Sequence, residues 1–145
     1  MMDMGSMGEL LQELRDVLSR LSEEAASGKP LLVEGKSDVR ALRSLGVEGR
    51  FITTKSGGRS IPDLALELAS SWDEVIILTD FDEAGRELAR RWAVELEGLG
   101  LKANMTYWRW LRGLVGSFAK DVEGLPSLIE TLMRKTGIRL GKGRW

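Results

Sequence analysis

Apolar residues recur at Leu10, Leu14, Val17 and Leu21, with Leu11 and Leu18 beside them, while Glu and Arg fill the opposite face. That spacing predicts an amphipathic helix over residues 7–26. The stripe covers about two heptads, short for a coiled coil, so the helix is expected to pack on the rest of the chain or on a partner. Ser27-Gly28-Lys29-Pro30 breaks it, and Leu31-Leu32-Val33 predicts a short buried strand. Val39, Leu42 and Leu45 then predict a short helix capped near Ser37 and stopped by Gly46. A second strand, 51–54, runs into the loop Lys55-Ser56-Gly57-Gly58-Arg59-Ser60, and Pro62 opens a helix reaching about Ser71. The third strand, 74–79, is apolar on both faces, as a strand covered by helices on each side must be. A helix over 83–99, a fourth strand over 103–108 and a last helix over 127–136 complete the chain.

Strand and helix alternate four times, the pattern of an α/β fold: a Rossmann-like three-layer sandwich with a four-stranded parallel sheet and an extra N-terminal helix. The chain has 145 residues, 43% of them hydrophobic, enough for one domain with a substantial core. It has no Cys and no His, which excludes disulfides, thiolate zinc sites and every triad or metal site built on imidazole. Any chemistry here runs on carboxylates, Lys, Arg, Ser or Thr. No stretch approaches the roughly 20 apolar residues that span a bilayer, and the start of the chain does not read as a secretory leader, so a cytoplasmic location and no membrane contact are expected. Asn104 and Gln12 are the sole residues of their types, which leans toward a thermophilic source.

The formal net charge of -1 conceals an asymmetry: residues 102–145 hold nine Lys or Arg against three acids. A basic C-terminal region on a near-neutral chain is a candidate contact for a phosphate backbone, or else a solvated surface.

The segment IILTDFDEAGRE, 76–87, places two acids at the end of a buried strand, Asp80 and Asp82, separated by Phe81. In one extended segment, side chains two apart point the same way, so both carboxylates are expected to face one small volume. Ligands in open parallel sheets bind at the carboxyl ends of the strands. The first strand also ends in an acid, Glu34, and if the two strands are neighbours the three carboxylates share a crevice suited to Mg²⁺ or Mn²⁺. Strand-end acids also cap following helices, so Asp-x-Asp alone does not decide between the two uses.

VEGKSD (33–38) followed by TDFDEAGRE (79–87) resembles the two signature motifs of the Toprim domain, shared by topoisomerases, bacterial-type primases, nucleases and recombination adaptors. Lys120-Asp121 is similar to a less uniform Lys-Asp element of several branches. The resemblance covers about residues 30–123. It implies a Toprim domain over 29–124, between an N-terminal helix (1–28) and a C-terminal helix with a basic tail (125–145). It further implies Mg²⁺-dependent phosphodiester chemistry, with Glu34 as general acid or base as well as a metal-site acid, and with Asp80 and Asp82 holding metal. Lys36, Lys55, Arg59, Arg86, Lys120 and Asp121 are the expected phosphate or nucleic-acid contacts.

Related readings fit less well. Gly35-Lys36-Ser37 is similar to the end of a P-loop, but Pro30 stands where that motif needs glycine. A phosphatase nucleophile or a phosphorylated receiver domain accounts for an acidic strand end and not for Glu-Gly-Lys-Ser-Asp after strand one. Tyr107 is the only tyrosine and there is no cysteine zinc module, which argues against a complete type IA topoisomerase or primase and for a stand-alone core. Nuclease or nucleotidyl transfer on RNA or DNA, RNA processing included, is the expected activity. The alternative is a non-catalytic Toprim adaptor that binds nucleic acid, a protein partner or a second copy of the chain. TYWRWLR, 106–112, is either a base-stacking surface or core, with core favoured for Trp108.

Overall fold

Asp3 begins the first helix. Its carboxylate accepts the Ser6 N–H at 2.7 Å, and α1 runs Met4–Ala26, nearly a turn earlier than the apolar stripe alone predicts. In the computed structural model, which describes residues 2–139, the order continues β1 (Leu31–Val33), α2 (Lys36–Ser44), β2 (Phe51–Thr53), a 3₁₀ turn (Ser56–Gly58) and α3 (Ile61–Ala69). Then follow β3 (Glu74–Leu78), α4 (Glu83–Gly98), β4 (Lys102–Asn104), α5 (Thr106–Val115), a second 3₁₀ turn (Val122–Gly124) and α6 (Leu125–Thr136).

The four strands are parallel and ordered β2-β1-β3-β4. Both faces of this short sheet are covered, as its continuous apolar strands require. Leu31, Val33, Ile76 and Leu78 face one core with residues of α1, α2, α5 and α6. Leu32, Val75 and Ile77 face the other, against Leu64 and Leu68 of α3 and Ala89, Trp92 and Leu96 of α4. The N-terminal stripe Leu11, Leu14, Val17, Leu18 and Leu21 is fully buried on the domain, as is Ile129 of α6, so α1 and α6 belong to the same core as the sheet. No helix among the described residues is long and apolar enough to cross a membrane.

The fourth strand differs from the sequence expectation. It spans three residues, and the segment expected to continue it as strand to 108 turns into α5. Asn104 makes the change: its side-chain oxygen accepts the Thr106 N–H at 3.0 Å, while its amide donates to Glu74 at 2.8 Å, so a polar side chain stops the ladder and starts the helix. The β-prone residues that suggested a strand are spaced for a helix, since Tyr107, Trp108, Leu111 and Val115 form one buried face. Tyr107 donates to Glu24 of α1. Burial first, and the Glu24 carboxylate second, push its hydroxyl above the ordinary range, so it is no ionised nucleophile.

Candidate metal and phosphate site

The strand order decides what the strand-end acids do. The connection after β1 goes by α2 to one edge of the sheet, and the connection after β3 goes by α4 to the other. Between them lies the switch point where open α/β sheets leave a crevice. Val33 pairs with Leu78, so Glu34 emerges beside the segment that follows β3. Its carboxylate accepts the Asp80 N–H at 2.8 Å, and Glu34, Asp80 and Asp82 line one crevice with Glu87 and Arg91. The three acids are therefore brought together.

The cause is only partly the one the sequence suggests. β3 ends at Leu78, so Asp80 and Asp82 are not on a strand. They sit on either side of Phe81, which is 4% exposed and buried near Trp108 with ring centres 6.2 Å apart. That apolar anchor turns both acids outward. Its backbone is pinned as well: Phe81 N–H donates to Lys120 O at 2.8 Å, and Arg112 Nε donates to Phe81 O at 3.2 Å. Trp108 is buried, and its indole N–H donates to Thr79 O at 3.0 Å and Asp80 O at 3.2 Å. Trp108 thus builds the loop and offers no stacking face.

Asp82 also caps α4, its carboxylate accepting the Gly85 N–H at 2.7 Å. Capping and metal binding are compatible, because a carboxylate accepts from more than one direction and its second oxygen is not used by the cap. Thr79, fully buried, donates to Gly85 O at 2.7 Å and locks the first turn of α4 onto the loop. The fit is tight: a Cβ on Gly85 would lie 1.9 Å from the Asp80 carbonyl oxygen.

Asp38, absent from the sequence-derived site, joins the acidic group. It is 5% exposed, in the first turn of α2, and accepts the Gly35 N–H at 3.0 Å. Burial first, then Glu34, Glu123 and Asp121, raise its pKa. A carboxylate three positions after the glycine at the helix N-cap was the available signal. Asp121 caps the second 3₁₀ turn, accepting the Gly124 N–H at 2.8 Å, and its charge falls on Asp38 and Asp80.

Burial, followed by Glu34, Asp38, Asp121 and Asp82, pushes Asp80 up to about 7. Among the described residues none of these acids is in an ion pair. Nor do any three acids there converge on one point as a closed cage would. Mg²⁺ asks for less than that: it takes one or two carboxylates, keeps several waters and bridges to substrate phosphates. Hard oxygen donors in a crevice where Glu34, Asp80 and Asp82 are in no ion pair among the described residues fit such an ion.

The folded chain holds a proton on Asp80 that the unfolded chain releases, so this residue's contribution to stability is full below about pH 4 and is lost as pH rises through about 7. With EDTA present, Asp80→Asn should melt with wild type near pH 4. It should become more stable by about 1–2 kcal/mol at pH 8, a figure reduced for solvent screening in an open crevice. Melting curves from pH 4 to 8 test this, and parallel profiles would remove the repulsion from the account.

The expected phosphate contacts divide. Lys36 and Arg59 line a second concavity beside β2, with Arg50 and Trp72, and Arg59 is paired with Glu67. Lys55 is exposed in the glycine loop, where Gly57 and Gly58 adopt left-handed backbone at φ 66° and 64°. Lys120 is exposed, with its main chain against Phe81. Arg86 lies in a groove between α4 and α5. Of the basic C-terminal tail, residues 140–145 lie outside the described residues.

Comparison with known proteins places these features in context. The family model of the Toprim domain matches residues 29–107. A UPF0292 protein of Methanosarcina barkeri is 35% identical over 127 residues, covering 88% of this chain and 87% of that protein. A UPF0292 protein of Methanocaldococcus jannaschii is 38% identical, covering 83% and 93%, and one of Pyrococcus horikoshii is 40% identical, covering 72% and 74%. Thermophilic archaea are thus among the relatives' sources. A solved structure from Aquifex aeolicus superposes with a TM-score of 0.62 at 22% identity, covering 74% of this chain and 94% of that one, a likeness of fold.

Proposed function

The chain belongs to the Toprim family, and from that premise we propose that it performs divalent-cation-dependent phosphodiester chemistry on nucleic acid, as a nuclease or nucleotidyl-transfer subunit. RNA processing is included in this reading. The observation that supports it best is the carboxylate group at the switch point, with Asp80 raised to about 7 and no cation paired to it among the described residues. A purely structural set of helix caps has no need to gather Glu34, Asp80 and Asp82 on one crevice. Perturbed carboxylates in a crevice are the mark of a working site.

In this reading Asp80 and Asp82 hold Mg²⁺ or Mn²⁺. Bound there, the ion supplies Lewis-acid stabilisation of phosphate oxygens. Glu34 moves the proton of the attacking or leaving hydroxyl, and the Asp80 N–H that it accepts fixes where its carboxylate stands. Lys120 and Arg91, at the loop and the crevice wall, supply positive charge to the substrate's phosphates.

The test combines cleavage and melting. End-labelled RNA and DNA, single-stranded and duplex, are incubated with the chain in Mg²⁺, in Mn²⁺ and in EDTA, and metal-dependent products are expected from at least one substrate. An ion binding only the folded chain at about 100 times its dissociation constant adds roughly 2.7 kcal/mol, so Mn²⁺ should raise the melting temperature by several degrees and Asp80→Asn should abolish the rise. Nucleic-acid binding without product on any substrate would overturn catalysis in favour of an adaptor.

A further inference from the structure

Among the described residues β3 has no partner on its β4 side beyond Ile76, because β4 stops at Asn104 and the chain turns into α5. α4 lies on one face of the sheet and α5 on the other, so a groove is left between them at this open edge, floored by Met105 and Trp108. Four arginines line it: Arg86 and Arg90 from α4, Arg109 and Arg112 from α5. Among the described residues no carboxylate lines it. The groove encloses about 400 Å³, within the roughly 300–1,000 Å³ of ordinary ligand sites.

The arginines stand in rows. Arg86 and Arg90 are one turn apart, as are Arg109 and Arg112, and like charges at such spacing cost stability in a helix. Among the described residues only Arg90 of the four has an ion pair, an exposed one with Glu87 at 3.3 Å. Arg112 is held in place, donating to Phe81 O with its guanidinium 5.6 Å from the Trp108 ring centre. Two rows of like charge facing a formed groove, with Arg90 alone ion-paired among the described residues, suit an anionic occupant. The groove also abuts the acidic crevice through shared parts, since Trp108 and Arg112 bond the carbonyls of Thr79, Asp80 and Phe81.

We infer that this groove seats the phosphate backbone of the nucleic acid on the β4 side of the acidic crevice, with Arg86, Arg90 and Arg109 as mobile contacts and Arg112 as a fixed one. This rests on the nucleic-acid reading above and extends it to a substrate path. Trp108 is buried, so among the described residues the groove offers no exposed aromatic face to stack a base. Contact is to phosphate, and recognition here is independent of base sequence.

The test is fluorescence anisotropy of labelled 20-nucleotide RNA and DNA of unrelated sequences, titrated with the chain in EDTA over a range of salt. Arg86→Gln/Arg90→Gln/Arg109→Gln changes only exposed side chains, and an unchanged melting temperature verifies its fold. Each lost phosphate contact should reduce the slope of log K against log salt by about 0.7–0.9. The triple variant should therefore lose about two units of slope and bind at least tenfold more weakly at low salt, on every sequence alike. A parallel variant, Arg134→Gln/Lys135→Gln/Arg139→Gln, removes the same charge from the last turn of α6 and the segment just after it. An unchanged slope in the groove variant, an equal loss in the α6 variant, or a wild type that binds neither nucleic acid overturns the groove. Wild-type binding with the expected slope loss but no metal-dependent cleavage sustains the groove and sinks only the catalytic reading.

Discussion

Glu34→Gln should lower metal-dependent cleavage by about 10²–10⁴-fold, the range over which a positioned general acid or base contributes. The structure makes this substitution a clean one. Glu34 accepts the Asp80 N–H, and a glutamine carbonyl oxygen can accept the same bond, so the loop between β3 and α4 keeps its support. What is lost is the ability to take up and return a proton, together with one negative charge next to Asp80. Two readouts separate the roles. If Glu34 manages the proton, Mn²⁺ still raises the melting temperature of the variant while turnover is gone. If Glu34 is chiefly a metal ligand, the metal response falls with the activity. Cleavage within fivefold of wild type would remove Glu34 from the chemistry altogether.

Gly85→Ala should be a damaging single-methyl change, since the would-be Cβ of Gly85 has no room. The added Cβ would lie 1.9 Å from Asp80 O and 2.5 Å from its carbonyl carbon, both backbone atoms in a loop already fixed by Trp108, Thr79 and Lys120. No side-chain rotation relieves such a contact, so α4 and the loop must separate. Overpacking of this kind costs about 1–3 kcal/mol and at times more, against which alanine regains roughly 1 kcal/mol of helix propensity. The net loss of up to about 2 kcal/mol, at ~2–4 °C per kcal/mol, gives an expected melting-temperature drop of up to about 8 °C. Activity should fall further than stability requires, because the displaced atoms belong to Asp80. Gly98→Ala serves as the comparison: it ends the same helix, nothing lies within 4 Å of its would-be Cβ, and a neutral or slightly stabilising outcome is expected. Equal behaviour of the two variants would show that α4 does not press on the loop that carries Asp80 and Asp82.

Gly85 also shows how the site was written in the sequence. The spacing of Asp80, Phe81, Asp82 and Gly85 encodes an apolar anchor, two outward acids, a helix cap and a close helix approach, all within six residues. Local interactions decide such a segment, and its motif could be read before any contact was known. The same holds for α1, whose stripe of Leu and Val has one buried side, and for β1 and β3, which are apolar on both faces because both are covered. The family resemblance rested on such segments, and the family match and the four-stranded parallel sheet agree with it.

Tertiary structure alone decided the rest. A three-residue β4 and α5 share the segment whose β-prone aromatics suggested a strand, and the helical spacing of Tyr107, Trp108, Leu111 and Val115 becomes a buried face only once the chain has turned at Asn104. The choice came from Asn104 bonding Glu74 and Thr106, partners 30 residues away and two residues away. Asp38 reads in sequence as an ordinary first-turn acid, and only the packing of α2 buries it among Glu34 and Asp121. Arg90, Arg109 and Arg112 look like solvated helix charges until α4 and α5 face one another across the open edge of β3. Sequence by itself determined which residues could carry charge and chemistry and, outside the segment that became β4 and α5, which segments were strands or helices. It could not determine which of those charges would share a volume, because their mutual energies depend on distances set by strand order and by helices that meet only after the sheet has formed.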